Sequence, residues 1–144
     1  MNFQWTDYLD LAKKLEKSTR QVGANTLSES EAILRTCISR AYYASFHVSK
    51  EYLKQKYPDL IQEDERFNKG NSHVKVINLL NIDEDERIKT VSQRLLKLRR
   101  ARTDADYFLS CKSLKTIQDA KNQARDALTL SYKIIETLKL SLKE

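Results

Sequence analysis

The sequence predicts an all-α fold, an antiparallel bundle of four to five helices forming one domain over residues 1–144. Three observations carry that prediction. Only 2 Gly and 1 Pro occur in 144 residues, which leaves little turn chemistry for a sheet. Apolar residues recur at three- and four-residue spacing in successive segments, the period of one helix face. No internal repeat, low-complexity tract or linker interrupts them, and the length suffices to bury a core.

The first helix is predicted from Phe3 to about Arg20, with Trp5, Tyr8, Leu9, Ala12 and Leu15 on one stripe. Lys13, Lys14, Glu16 and Lys17 are expected in solvent. Residues 22–26 read as a loop in which Gly23 stops the helix. Ser28-Glu29-Ser30-Glu31 matches a capping box and opens the second helix, which ends at about Lys56 before Tyr57-Pro58. Its inward series is Leu34, Ile38, Ala41, Ser45, Val48 and Tyr52, widened by Ile33, Cys37, Ala44 and Leu53. A helix apolar over so broad an arc is touched by several neighbours and belongs at the bundle centre. Its small residues Ala41, Ala44 and Ser45 admit a partner helix at close range.

Residues 59–71 are charged, end in Lys69-Gly70-Asn71, and read as an exposed loop. Asn71 or Ser72 caps a short third helix with Val74, Ile77 and Leu80 inward and His73 exposed in its first turn. Asp83-Glu84-Asp85-Glu86 gives the fourth helix an acidic first turn that suits the helix dipole. Ile88, Val91, Leu95, Leu98, Arg102, Ala105 and Leu109 form its inward series. After a turn at Ser110-Cys111-Lys112, Ser113 caps a fifth helix from Leu114 to about Leu142. That helix carries Ile117, Ala120, Ala124, Ala127, Leu128, Ser131, Ile134, Ile135, Leu138 and Leu142 on one stripe.

A net charge of +6 permits a nucleic-acid or acidic partner without requiring one. No run of 18 apolar residues exists, so no membrane span is expected. Residues 1–7 lack the basic and apolar regions of a signal peptide. Cys37 and Cys111 fit no metal or redox spacing, and Cys37 on an apolar face reads as a buried thiol, so a reduced, cytoplasmic setting is expected. No Glu-x-x-His pair supports a metal–carboxylate bundle, and no Ser, Cys or Lys has an evident base beside it. Neither a metal nor a cofactor is expected.

Two stretches carry candidate chemistry. Arg40 and His47 stand seven positions apart in Ser39-Arg40-Ala41-Tyr42-Tyr43-Ala44-Ser45-Phe46-His47 and share a helix face with Tyr43 and Ala44 between them. A histidine can act as general acid or base while an arginine stabilises developing negative charge. Arg102 occupies a core-facing position where an unpaired guanidinium is costly, and Asp106 at i+4 is its nearest partner. Arg94, Lys97, Arg99 and Arg100 crowd the same helix as candidate phosphate contacts, although spread around it. If Arg40 and Arg102 meet across the bundle, the two stretches make one site.

The first stretch, continued by Tyr52-Leu53, resembles the SRAYYAxFHxxxxYL helix of HEPN proteins (higher eukaryotes and prokaryotes nucleotide-binding). Leu98-Arg99-Arg100-Ala101-Arg102-Thr103-Asp104-Ala105-Asp106-Tyr107 is similar to the LRxxRxxADY segment of small stand-alone prokaryotic members. The resemblance implies a helical bundle that forms homodimers. It also implies an RNA-directed, metal-independent endoribonuclease in a toxin–antitoxin or defence module, beside a minimal nucleotidyltransferase that acts as antitoxin. The family's Arg–His signature falls on the helix that bears Arg102, where Asp106 and Tyr107 stand in place of the histidine. Arg102, His47 and Arg40, with Asp106 and Tyr107, are therefore the candidate catalytic residues. The alternative is a non-catalytic dimeric module that binds nucleotide and partners an enzyme.

Overall fold

A computed structural model describes residues 3–20, 25–59, 72–107 and 113–144. Five helices account for nearly all of them: α1 (Thr6–Ser18), α2 (Leu27–Lys56), α3 (Ser72–Asn81), α4 (Glu86–Tyr107) and α5 (Leu114–Lys143). Among the described residues no strand is present, and no helix is long and apolar enough to cross a membrane. The Gly23 stop, the segment from 60 to 71 with the Asn71 cap, Leu109, and the turn with Cys111 lie outside the described residues.

α2 lies at the centre and packs against every other helix. Cross-helix contacts give the directions. Arg125 on α5 reaches Glu16 on α1, while Lys13 lies over Tyr132 further along, so these two run antiparallel. Arg35 and Tyr43 of α2 meet Asp106 and Arg102 of α4 in the same reversed sense. α1 is likewise antiparallel to α2, and α4 to α5, so α2 and α5 run parallel across the bundle diagonal.

Small residues make that diagonal close. Ala41, Ala44 and Ser45 on α2 and Ala120, Ala124, Ala127 and Ser131 on α5 are all buried. The Ser45 hydroxyl donates to Ser131 Oγ at 2.7 Å, Ser131 donates to the Ala41 carbonyl at 3.0 Å, and Ser49 donates to the Ser45 carbonyl at 2.7 Å. Every buried hydroxyl in the seam thus has a partner, which offsets its desolvation.

Several expectations are corrected. α1 is shorter than predicted because Trp5 takes the N-cap place and the last turn tightens into i→i−3 bonds at Thr19 and Arg20. α2 starts at a different capping box: Thr26 accepts from the Glu29 amide at 3.1 Å and the Glu29 carboxylate accepts from the Thr26 amide at 3.4 Å. Thr26-x-x-Glu29 overlaps Ser28-x-x-Glu31 in sequence, and the earlier box adds helical residues to α2. On α3 the buried residues are Val76, Ile77 and Leu80, and Val74 faces solvent.

Two acidic residues differ from expectation: Glu16, expected in solvent, is buried, and Asp83, expected in the first turn of α4, is buried ahead of that helix. Glu16 follows Leu9 and Ala12 on the inner stripe of α1 and is 1% exposed. Burial alone would raise its pKa, but Arg20 at 2.7 Å and Arg125 at 2.9 Å hold it below the ordinary carboxylate value. Asp83 accepts from Lys56 Nζ at 3.0 Å, the Tyr57 hydroxyl at 2.9 Å and the Asp85 amide at 2.9 Å. It therefore locks the end of α2 to the start of α4 rather than serving the helix dipole from solvent.

Candidate functional site

Of the sequence-predicted residues, Arg40, His47 and Arg102 come together around one ring, Tyr43, at the junction of α2, α3, α4 and the start of α1. Tyr43 is half-buried on α2. The guanidinium of Arg40, one turn before it, lies 5.7 Å from the ring centroid, and that of Arg102, on α4, lies 5.4 Å from it. Arg102 also donates from Nη2 to the Tyr43 hydroxyl at 3.2 Å. His47, one turn after Tyr43, stacks beside it with centroids 6.2 Å apart. Arg40 and Arg102 thus meet through Tyr43.

Asp106 pairs with Arg102 as the i+4 spacing predicts. Arg102 Nε is buried and 3.0 Å from Asp106 Oδ2, near enough for an ion pair but out of line for a hydrogen bond. Arg35 donates to the Asp106 backbone carbonyl at 3.2 Å, which ties the last turn of α4 to α2. Arg40 has a different environment, lying over Tyr8 at 5.1 Å as well as Tyr43.

One site residue escaped the sequence reading. His73, expected as an exposed helix start, is half-buried and stacks on Phe46 with centroids 4.2 Å apart. Its Nδ1 is hydrogen-bonded to the hydroxyl of buried Tyr42, which orients the ring and leaves Nε2 for other contacts. The signal was present in the spacing, because His73 stands four residues before buried Ile77 and shares its face.

The site is cationic. Burial holds His47 down to about 4, with Lys50, His73 and Lys54 adding to the effect. His73 is lowered first by burial and then by Arg99, Arg102 and Lys50. Burial raises the Tyr42 hydroxyl despite Arg99 and Arg102, so it stays protonated. Two neutral imidazoles therefore sit among fixed cations at neutral pH.

The remaining candidates divide. Arg99 belongs to this field through its effect on Tyr42 and His73. Arg94 lines a groove between α4 and α5 with Arg87, Thr90, Thr137 and Leu140. Lys97 and Arg100 face solvent. Tyr107 stands apart at the end of α4, 73% exposed.

The chain is 30% identical over 145 residues to the uncharacterized protein MJ0628 of Methanocaldococcus jannaschii, covering 92% of this chain and 83% of that protein. The chain belongs to the same family as MJ0628. No family model and no solved structure matches it. Since MJ0628 is itself uncharacterized, the chemistry rests on the geometry around Tyr43.

Proposed function

We propose that this protein is an RNA-directed component of the HEPN type, acting on the phosphodiester backbone without a metal ion, in a module with a nucleotidyltransferase antitoxin. One observation carries the reading: Arg40, Arg102, His47 and His73 converge on Tyr43, where burial first and neighbouring cations second hold both imidazoles neutral. A bound phosphate offsets that field and raises both histidine pKa values, so anion binding and histidine protonation reinforce each other.

In the reaction so proposed, His47 takes the proton of the 2′-hydroxyl and O2′ forms a bond to phosphorus. Arg102 and Arg40 stabilise the equatorial charge. The P–O5′ bond then breaks, and the 5′-oxygen takes a proton from His73, which drew that proton from solvent when the bound phosphate raised its pKa, while His47 returns the 2′-hydroxyl proton to solvent. The products carry 2′,3′-cyclic phosphate and 5′-hydroxyl ends.

The non-catalytic alternative, with a homodimer and an enzyme partner, has support of its own. Asp106 already neutralises Arg102, and Trp5 stacks on His47 with centroids 3.7 Å apart. Incubation of the purified protein with total RNA in the presence of a chelator separates the readings. Cleavage to cyclic-phosphate ends, reduced about a hundredfold by Arg102→Ala and by His47→Ala, supports catalysis. RNA bound but intact supports the binding module. RNA neither bound nor cut by folded protein overturns both.

A further inference from the structure

Phe3, Trp5 and Tyr8 form an aromatic ledge beside the site, anchored where Tyr8 packs on the core. Phe3 precedes α1, is 57% exposed, and rests on Trp5 and Tyr8 through edge-to-face contacts at 5.1 and 5.4 Å. It contributes no buried core surface, unlike Leu9 and Ala12 on the same segment. Trp5 stacks nearly parallel on His47, at an interplanar angle of 12°, so the ledge runs directly into the imidazole. Cations flank it: Arg40 lies over Tyr8 at 5.1 Å, and Lys50 and Lys54 act on His47 from the next turns of α2.

A solvent-facing aromatic ring such as Phe3, backed by half-buried Trp5 and beside a line of positive charge, is what an unpaired nucleic-acid strand needs, since bases stack on rings while phosphates meet cations. A duplex hides its base faces and satisfies only the charges. A protein partner has less to recognise, because the ring surface is small and bordered by Arg40, Lys50 and Lys54.

We infer that Phe3 and Trp5 form a stacking subsite for an unpaired nucleobase, placing the adjoining phosphate against Arg40 and Arg102. The inference rests on the RNA-directed reading of the Tyr43 site and adds to it a separate contact at the chain's first aromatic residues. It also assigns Trp5 a second role, as the surface that joins the bound base to the His47 ring.

Trp5 is the only tryptophan in the chain, so its emission reports the subsite directly. The probes are a 2′-O-methyl oligouridylate, which cannot undergo 2′-hydroxyl attack, and a 2′-O-methyl duplex of equal length. The single strand is expected to quench Trp5 emission and to bind more tightly than the duplex. Phe3→Ala is expected to weaken single-strand binding about tenfold, with Phe3→Tyr restoring it and duplex binding changed less than about twofold. Because Phe3 is mostly exposed, neither variant threatens folding, and circular dichroism checks this. Equal affinity for both probes, or no effect of Phe3→Ala while Arg102→Ala still weakens binding, overturns the subsite and leaves the RNA reading intact. Loss of self-association in Phe3→Ala with unchanged RNA affinity also overturns it, by making the ledge a protein contact. Failure of both probes to bind overturns the RNA reading and the subsite together.

Discussion

The bundle holds buried charge in two different ways. At Glu16 and at Asp83 a carboxylate is surrounded by its complement: two arginines at the first, a lysine, a tyrosine and a backbone amide at the second. Around Tyr43 the described residues are weighted the other way. His47, His73, Arg40, Arg99 and Arg102 gather there, and among the described residues Asp106 is the carboxylate paired to Arg102. The carboxylates stay charged, with pKa values lowered by their partners, and the histidines stay neutral, through burial first and the neighbouring cations second. A balanced cluster holds helices together and asks for nothing more. An excess of cations is relieved when an anion arrives, so the second arrangement is the one suited to binding.

That contrast makes removal of the Glu16 charge the more damaging of the two carboxylate changes. Glu16→Gln keeps one amide oxygen as an acceptor but removes the charge that Arg20 and Arg125 share, which weakens the tie between α1 and α5. Both arginines reach water, which limits the loss to about 3 kcal/mol, or a fall in Tm of about 9 °C. RNA binding at Tyr43 should be unchanged in the folded variant. Thermal unfolding followed by circular dichroism checks the first part, and a filter-binding assay the second. A large loss of binding in folded Glu16→Gln would join the two regions that the structure keeps separate.

Asp83→Asn should have a smaller effect of the same kind. The single amide oxygen keeps the bond from the Asp85 backbone, while the NH2 that replaces the second oxygen no longer accepts from Tyr57 and no longer pairs with Lys56, whose ammonium is partly solvated. About 2 kcal/mol, or a fall of about 6 °C in Tm, is expected. Lys56→Met should reproduce most of it, and a double-mutant cycle gives the coupling directly.

The legibility of these regions in the sequence follows from how far away their partners lie. The stop of α2 at Lys56, the Ser113 cap and the Arg102–Asp106 pair are local patterns, and each is found where the sequence predicts it. Glu16 was misread although it lies on the stripe of Leu9 and Ala12. Its residue type suggests solvent, and one of its two partners, Arg125, stands 109 positions further along the chain. His73 was misread for the same reason, since Tyr42 is 31 residues earlier. The start of α2 failed differently. Two capping boxes overlap within six residues, and local pattern alone does not choose between them. The candidate site itself was half legible: helical spacing put Arg40 beside His47, but only packing brings Arg102 and His73 to the same ring.

The smallest expected effect tests the sign of the contrast through pH. His47 and His73 have depressed pKa values in the fold, so between about pH 6.5 and the folded value of about 4 for His47 the unfolded chain binds more protons. Their contribution to stability is complete above about pH 6.5 and is lost as pH falls through that window. The lowered carboxylates Glu16 and Asp83 also lose stability on acidification, but only below about pH 4.5, where unfolded carboxylates begin to protonate. From about pH 7 to about pH 5 the histidines alone should act. After discounting for the solvent that reaches the half-buried ring, His47 should lower Tm by about 3 °C over that interval. His47→Gln should remove that share of the slope while unfolding near the wild-type temperature at about pH 5. Inorganic phosphate should also flatten the wild-type slope, because an anion among Arg40, Arg102 and Lys50 makes the charged imidazole acceptable in the folded state. An equal acid slope in wild type and His47→Gln, unaffected by phosphate, would mean that the cations around Tyr43 are already balanced and that this region resembles Glu16 after all.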